Sequence, residues 1–382
     1  MTNWTIERTR FGMPTDKIPI ATDDPVNTRI LVVSEDKIPG FHRNPIREIA
    51  DQSGVPVEDV VLRIRAMLEG GTIRRVRQTL MATNLAPGAL VAWRVPEDRL
   101  SEIFDWMFQQ DPFSGHVVIR TTDEGKSGGR YRLWTTVKVP RPYSLEKHCQ
   151  LLCEETGAES FLLMPAKSIF ALGVGHVRRR TMEVGSKSDS PAEPRKVEVV
   201  ELSDLDWQVL VALKREFTPD EIRDDPWVAR AEEADLPITR FFEVAEDLQS
   251  RKVIGRFSTF LEHAKQLKTG ERVTRYNALF HWAVPPGREI EAGCEVGRHE
   301  IMTHCYWREG GPEIGNVNIM GVVHGMEREK VFEHKQAIDD HLASCDIPLS
   351  YTNVFWGGRS EIKPSEISPV VYRQWCASMG LD

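Results

Sequence analysis

The chain has 382 residues, 41% of them hydrophobic, and a formal net charge of −8. That length makes two or three domains of ordinary size, and no run approaches the ~18 uninterrupted apolar residues that a membrane span needs. The acidic balance argues against a protein that lives on nucleic-acid phosphate, although it leaves room for a local basic patch. The six cysteines, Cys149, Cys153, Cys294, Cys305, Cys345 and Cys376, form no CxxC pair and no zinc-finger spacing. They read as packed thiols rather than as a disulfide framework. The first residues, MTNWTIERTRFG, lack the apolar core of a secretory signal, so the expected compartment is the cytoplasm.

In chain order, PIREIADQSG fits a helix closed by Gly54. VEDVVLRIRAML then sets Val57, Val60, Val61, Ile64 and Leu68 on one helical face, ended by Gly70-Gly71. TIRRVRQTL follows as a strand. Helix, short turn, helix, strand is the order of a winged helix-turn-helix. The acidic, Pro- and Ser-containing stretch TMEVGSKSDSPAEPRKVEVVE (181–201) reads as a linker. Beyond it, LSDLDWQVLVALKREF is a helix, and ITRFFEVAEDLQSRKVIGRFSTFL is a helix running into a strand.

Each of these segments is followed by the same signature. ALVAWRVPEDRL matches ALFHWAVPPGRE, SGHVVIR matches MTHCYWR, and YRLWTTVKVP matches VNIMGVVHGM. Trp93 falls on Trp282, His116 on His304 and Lys138 on His324, at a steady offset of about 188 residues, which argues duplication of one unit. Each copy reads as strand–helix–strand–strand–helix–strand, the ferredoxin-like order. The expected class is therefore α+β, a tandem repeat of winged helix-turn-helix plus ferredoxin-like domain. The expected divisions are 1–85 (first winged helix), 86–180 (first ferredoxin-like domain), 181–200 (linker), 201–270 (second winged helix) and 271–382 (second ferredoxin-like domain).

The familiar catalytic templates are missing: GxSxG, GxGxxG after a strand, a Walker loop and HExxH. GKSGG (125–129) lies in a hairpin turn and reads as a loop. His148, His176, His299, His334 and His341 sit in helical or terminal contexts and read as surface.

A winged helix followed by a ferredoxin-like domain resembles the layout of the Lrp/AsnC regulators. The finer motifs resemble the siroheme decarboxylases, Lrp-like enzymes of the haem d1 and alternative haem pathways in which two related subunits pair. HCYWR, VVHG and RFSTFLEHAK in the second half are similar to that family's HCYxR, MIHG and RFxxxxRHxxxG motifs. MPAKSIFALGVGHVRRR in the first half looks like the closing strand of the other subunit. The first half has GHVVIR where the family carries an HNYxR-type motif, so its tyrosine is absent. The resemblance spans nearly the whole chain and implies a fusion of the two subunits.

It implies a reaction as well: removal of CO2 from two acetate side chains of siroheme to give 12,18-didecarboxysiroheme. The tetrapyrrole is its own electron sink, so no separate cofactor is required. An iron-containing tetrapyrrole, siroheme or haem, is the implied substrate or ligand. His304 and His324 are the implied catalytic pair, because imidazole titrates near cytoplasmic pH. Either one is also a possible ligand of the substrate's iron. His263, Arg308, Tyr306, Arg256, His116, Arg120 and Arg75 are the implied substrate-binding residues, since guanidinium pairs well with carboxylate. Lys138 stands in the first half where His324 stands in the second, so one active pocket per chain is expected.

Two other classes remain. One is an Lrp/AsnC-type transcriptional regulator, the other a non-catalytic haem- or tetrapyrrole-binding protein. DNA is disfavoured as a partner, because Glu58 and Asp59 open the candidate recognition helix and would meet phosphate. No membrane partner is expected, and a homodimer is.

Overall fold

The structure, a computed structural model, describes residues 18–263, 266–364 and 366–380. Residues 1–17 of the expected first winged helix, and residues 264–265 of the LEHAK stretch, lie outside the described residues.

Asp24 starts the first helix, its carboxylate accepting from the backbone N–H groups of Val26 and Asn27 at 3.0 Å each, with Pro25 at the first helical position. The chain then runs α1 (Pro25–Ser34), β1 (Ile38–Pro39), α2 (Pro45–Ser53), α3 (Val57–Gly70) and β2 (Ile73–Leu80). Gly54 and Gly71 cap α2 and α3 in the left-handed region, at φ 64° and 82°. The first ferredoxin-like copy follows as β3 (Gly88–Arg94), α4 (Leu100–Gln109), β4 (Ser114–Thr121), β5 (Tyr131–Lys138), α5 (Leu145–Thr156) and β6 (Ser160–Pro165). After it come β7 (Ser168–Leu172), the short α6 (His176–Arg179) and β8 (Arg195–Lys196).

The second half opens on α7 (Asp204–Lys214), closed at its start by a reciprocal capping box between Ser203 and Asp206. Next are α8 (Val228–Glu233), α9 (Ile238–Ser250) and β9 (Ile254–Leu261). The second copy is β10 (Tyr276–Ala283), α10 (Glu289–Gly297), β11 (His304–Trp307), β12 (Ile319–Gly325), α11 (Arg328–Ser344) and β13 (Tyr351–Ile362). The last described helix is α12 (Pro369–Ser378).

The two winged-helix segments, separate in the sequence, share one core. A three-stranded sheet runs β1-β9-β2, so a strand of the second half lies between two strands of the first. Ile30, Ile49, Ile64 and Val76 of the first half pack with Leu210, Trp227, Phe241 and Phe257 of the second. Pooling two small modules removes a larger fraction of apolar surface from water than either could alone.

The ferredoxin-like copies join in a ten-stranded sheet, β6-β3-β5-β4-β13-β10-β12-β11-β7-β8. Each copy has the same internal strand order, and each lends its closing strand to the other. The first part of β13 pairs with β10 and its end pairs with β4. In the first copy the same path is split, β6 pairing with β3 and β7 with β11. The edges at β4 and β11 are covered by this exchange.

The sheet folds back on itself, so that Ala92, Trp134 and Met164 of one copy face Leu279, Met320 and Phe355 of the other. The outer faces are covered by α4, α5 and α12 on one side and by α10 and α11 on the other. The linker is pinned: Ser188 N–H donates to Arg298 O and Ala192 N–H to Cys294 O, both at 3.0 Å, and β8 pairs with β7. No helix among the described residues is long and apolar enough to cross a membrane.

Strand alternation turns the polar residues inward. Cys305 of β11 and Val323 of β12 pack outward under the helices. Their neighbours His304, Tyr306 and His324 therefore point between the sheets. Val117 of β4 and Leu133 and Val137 of β5 pack outward in the first copy, which sends His116, Arg120, Thr136 and Lys138 inward.

Candidate active site: a basic hollow lined with histidines

His304 and His324 occupy adjacent strands, with His304 paired in register to Val322, two residues before His324. Both face the same side, as strand geometry requires. His176 from α6 and His263 from the end of β9 complete a cluster. The His176 ring lies 4.8 Å from that of His263 and 5.0 Å from that of His324, and His263 lies 5.7 Å from His324. His116 feels the charge of His263 and His304.

These side chains are surrounded by protein, yet His116, His263, His304, His324, Tyr306, Lys138 and Arg256 remain partly solvent-accessible. That combination belongs to the wall of a hollow and not to packed core. A cleft between α6 and the start of α11 is lined by His176, Arg179, His324, Lys330 and His334.

A hydrogen-bond relay fixes the imidazoles. Arg120 Nη1 donates to Asn277 Oδ1 at 3.2 Å, and Asn277 Nδ2 lies 3.1 Å from His324 Nε2. Since an amide N–H can only donate, His324 Nε2 accepts and its Nδ1 carries the proton. Thr303 Oγ1 lies 3.4 Å from His324 Nδ1 and 3.2 Å from His304 Nδ1, and gives its own proton to Val322 O at 2.8 Å. Both rings then donate from Nδ1 to Thr303. His324 is committed at both nitrogens, whereas His304 Nε2 keeps its lone pair with no partner among the described residues.

Cations outnumber anions here. Burial, with Arg256, Arg179 and Arg308 nearby, pushes His304 down to about 3, so its imidazole is neutral at neutral pH. Burial and neighbouring cations hold His324 and His176 well below the usual histidine range, and bring His116 to about 3. Burial lowers Arg77 to about 10, Arg120 to about 9, Arg308 to about 10 and Lys138 to about 8. Burial also raises Tyr306, which keeps its phenolic proton. Of the nearby acids, Asp36 is taken up by ion pairs with Arg178 and Arg179 at 3.1 and 3.0 Å, Glu35 is raised to about 7 by burial, and Glu216, Glu262 and Glu361 lie close enough to act on Arg74. Such an array favours a multiply anionic guest.

The remaining residues named from sequence fall as follows. Tyr306 stacks on His304 at 6.2 Å and carries the Arg308 guanidinium over its ring at 4.5 Å. Arg256 Nε donates to Glu35 O at 3.3 Å. His116 Nε2 lies 2.8 Å from Ser360 Oγ. Arg308 donates to Met164 O in the opposite copy, and Arg120 donates to Phe355 O at 3.4 Å in the reverse sense. These two arginines are a pseudo-symmetric clasp between the copies. Arg75 is held by Glu216 at 3.1 Å.

Sequence reasoning missed His176. It was expected at the surface and is 5% exposed. Its placement rests on contacts distant in sequence: Glu35 accepts from Val177 N–H at 2.8 Å, and Arg179 donates to Asp36 and Glu300 O. Gly175 is required there, because a Cβ would sit 2.4 Å from Asp36 Oδ2. The GVGH turn was the available signal. His148 and His334 are also buried rather than exposed and His341 is half-buried, because the helices that carry them cover a sheet, and His299, just past α10, is buried beside the linker residue Lys187. Arg74 and Arg77, on the same strand as Arg75, were missed as well. So was His281, fully buried between Trp134 and Phe355 with both ring nitrogens unpartnered among the described residues.

Comparison with known proteins agrees with this architecture. Residues 86–171 and 274–350 match the AsnC-like ligand binding domain. The chain is 22% identical over 310 residues to a siroheme decarboxylase of Hydrogenobacter thermophilus, covering 79% of this chain and 84% of that protein. It is 25% identical over 142 residues to the siroheme decarboxylase beta subunit of Methanosarcina barkeri, covering 37% of this chain and 90% of that one. The crystal structure of the siroheme decarboxylase NirDL superposes with a TM-score of 0.63 at 18% identity, covering 92% of this chain and 99% of that chain. A second structure of NirDL, in co-complex with an iron-uroporphyrin III analogue, gives 0.62 at 17% identity, over 93% and 99% of the two chains. The polypeptide thus has two stretches in tandem that match the AsnC-like ligand binding domain, and over most of its length it is similar to a siroheme decarboxylase.

Proposed function

We propose that this chain decarboxylates siroheme, removing CO2 from two acetate side chains to give 12,18-didecarboxysiroheme. The observation that carries the reading is the histidine-lined hollow with buried cations in excess. Siroheme is a disc bearing eight carboxylates and suits such a lining. At each acetate the bond to the carboxylate carbon breaks, CO2 leaves, and the electron pair passes into the conjugated ring. The methylene carbon then takes a proton and becomes a methyl group. The substrate's own ring supplies the electron sink, so the protein's task is to bind, orient and protonate.

His304 is the residue to do the last. Its Nε2 has no partner among the described residues, and Thr303 lies 3.2 Å from its other nitrogen. In the free chain it is neutral, and an arriving carboxylate raises its affinity for a proton, so the substrate charges its own general acid. Alternatively the same lone pair can take the substrate's iron. His324, with Asn277 and Thr303, orients rather than reacts. Arg74, Arg77, Arg256 and Lys138 are the cations we assign to the other carboxylates, on the strength of their burial beside the histidines.

The regulator reading is weaker. Glu58 and Asp59 stay exposed at the start of α3. The helix is also partly covered, Arg65 donating to Ile222 O at 2.9 Å, and the preceding α2 is tied to the same segment by Arg47 pairing with Asp224.

The test is anaerobic incubation of the chain with siroheme, followed by mass spectrometry. Loss of two CO2 is expected, and His304→Ala should lower turnover at least about tenfold with the fold intact, a conservative share of what general acid catalysis supplies. Spectral binding without mass loss would replace this reading with the carrier, and a salt-sensitive shift of promoter DNA would replace it with the regulator.

A further inference from the structure

On the far side of the second sheet, away from the hollow, α10 and α11 face each other with a matched pair of signals. Glu295 lies in the last turn of α10 with His299 two residues beyond the helix end, where it forms a bridge with Lys187, and the α11 end carries HLASC, with His341 and Cys345 four residues apart. Residues four apart at a helix end share a face, so α11 offers His341 and Cys345 together toward Glu295 of α10. Glu295 Oε2 lies 2.6 Å from His341 Nε2, and Cys345 Sγ lies 3.8 Å from the same nitrogen. The three ligand atoms lie within 4.8 Å of one another. Donors around a tetrahedral zinc ion, at bond lengths of 2.0–2.3 Å, stand about 3.5 Å apart, so one cation fits between them with small side-chain rotations.

His299 is an independent observation. It is 2% exposed, and neither ring nitrogen has a partner among the described residues. Its ring meets that of His341 edge to face, with centroids 5.1 Å apart. A buried imidazole with both nitrogens unpartnered is costly in ordinary core, and beside three ligand atoms it has an obvious use. Burial also keeps it neutral, lowering it to about 4, and the neutral ring is the form that binds metal.

We propose that Glu295, His299, His341 and Cys345 form a site for a zinc-like divalent cation between α10 and α11. On binding, the Cys345 thiol gives up its proton and the thiolate joins the metal. His341 binds through Nε2 and carries its proton on Nδ1. Lys187 Nζ, now 2.8 Å from that Nδ1, must then swing away, which its exposed side chain allows. Arg298, paired with Glu295 at 3.1 Å, keeps the carboxylate oriented while weakening the attraction for a cation. Because Lys187 and Ser188 belong to the linker and Ser188 bonds Arg298, the metal would tie the linker to both helices.

The test uses the full chain, free of tetrapyrrole and stripped of metal by a chelator, titrated with Co2+ as a probe. One equivalent should give tetrahedral visible bands with a thiolate-to-cobalt charge-transfer band, and Zn2+ should displace it. The near-isosteric Cys345→Ser should abolish the charge-transfer band and weaken Zn2+ binding at least about tenfold, and His341→Ala should do likewise. His324→Ala should bind as the unaltered chain does, because its cluster is elsewhere. A titration without the thiolate band, a band that survives Cys345→Ser, or binding lost with His324→Ala instead would each overturn the proposal. Should His341→Ala fail to fold, Cys345→Ser decides alone. None of these readouts depends on siroheme turnover.

Discussion

Loading the hollow should take up protons, with His304 the main acceptor. In the free chain burial and three arginines hold this imidazole at about 3. Half-protonation at pH 7 therefore requires a rise of about 4 units, or roughly 5.4 kcal/mol at 1.36 kcal/mol per unit. A carboxylate ~4 Å away at an effective dielectric of about 20 supplies about 4 kcal/mol. Two ligand carboxylates near the ring thus suffice. The sign follows: the bound state holds more protons than the free state, so affinity for the anionic ligand rises as pH falls toward 6. The assay is calorimetric titration with iron-uroporphyrin III at pH 7 in buffers of different ionisation enthalpy, which separates proton uptake from binding heat. Net uptake is expected, cut by about half or more in His304→Ala. Zero uptake, or uptake unchanged in that variant, would refute the substrate-charged acid.

Other outcomes are equally accessible. His281 is held at about 3 by burial between the sheets. Its folded value lies below its unfolded value of about 6.5, so its destabilising effect grows as pH falls from 6.5 toward 3. At pH 5 it costs about 2 kcal/mol. His281→Phe should therefore narrow the gap in melting temperature between pH 8 and pH 5, and an unchanged gap would exclude His281 as its cause. Asp36→Ala strands the buried Arg179 and should cost about 3–5 kcal/mol in urea unfolding. Arg308→Met keeps the alkyl stem but leaves Met164 O unpaired, at a cost of about 1–3 kcal/mol by the same measurement. His176→Ala should lower siroheme turnover roughly tenfold, equivalent to about 1.4 kcal/mol in the barrier, although it lies outside the second half's motifs. Full activity would return His176 to a structural role.

Much of the architecture was readable in the residues. Gly54 and Gly71 end helices because a left-handed cap suits glycine, and the alternation in HCYW and MGVVHG is enough to set His304 and His324 on one face. The repeated Trp93/Trp282 and His116/His304 signatures announced two like copies. The exchange of closing strands was not readable, since β13 and the split β6–β7 have the same local pattern whichever edge they join.

What the sequence alone determined is local: periods of two and 3.6, glycine stops, and a duplicated order of elements, all set within a dozen residues by backbone sterics and side-chain alternation. The tertiary structure decided what is collective. It merged two winged helices around β9, because neither could bury its apolar face alone. It also brought His176 beside His263 and His324 through Asp36, Arg179 and Gly175, contacts more than a hundred residues apart in part. Above all it fixed the electrostatics, since an arginine or histidine has an ordinary affinity for its proton until folding takes away the water around it.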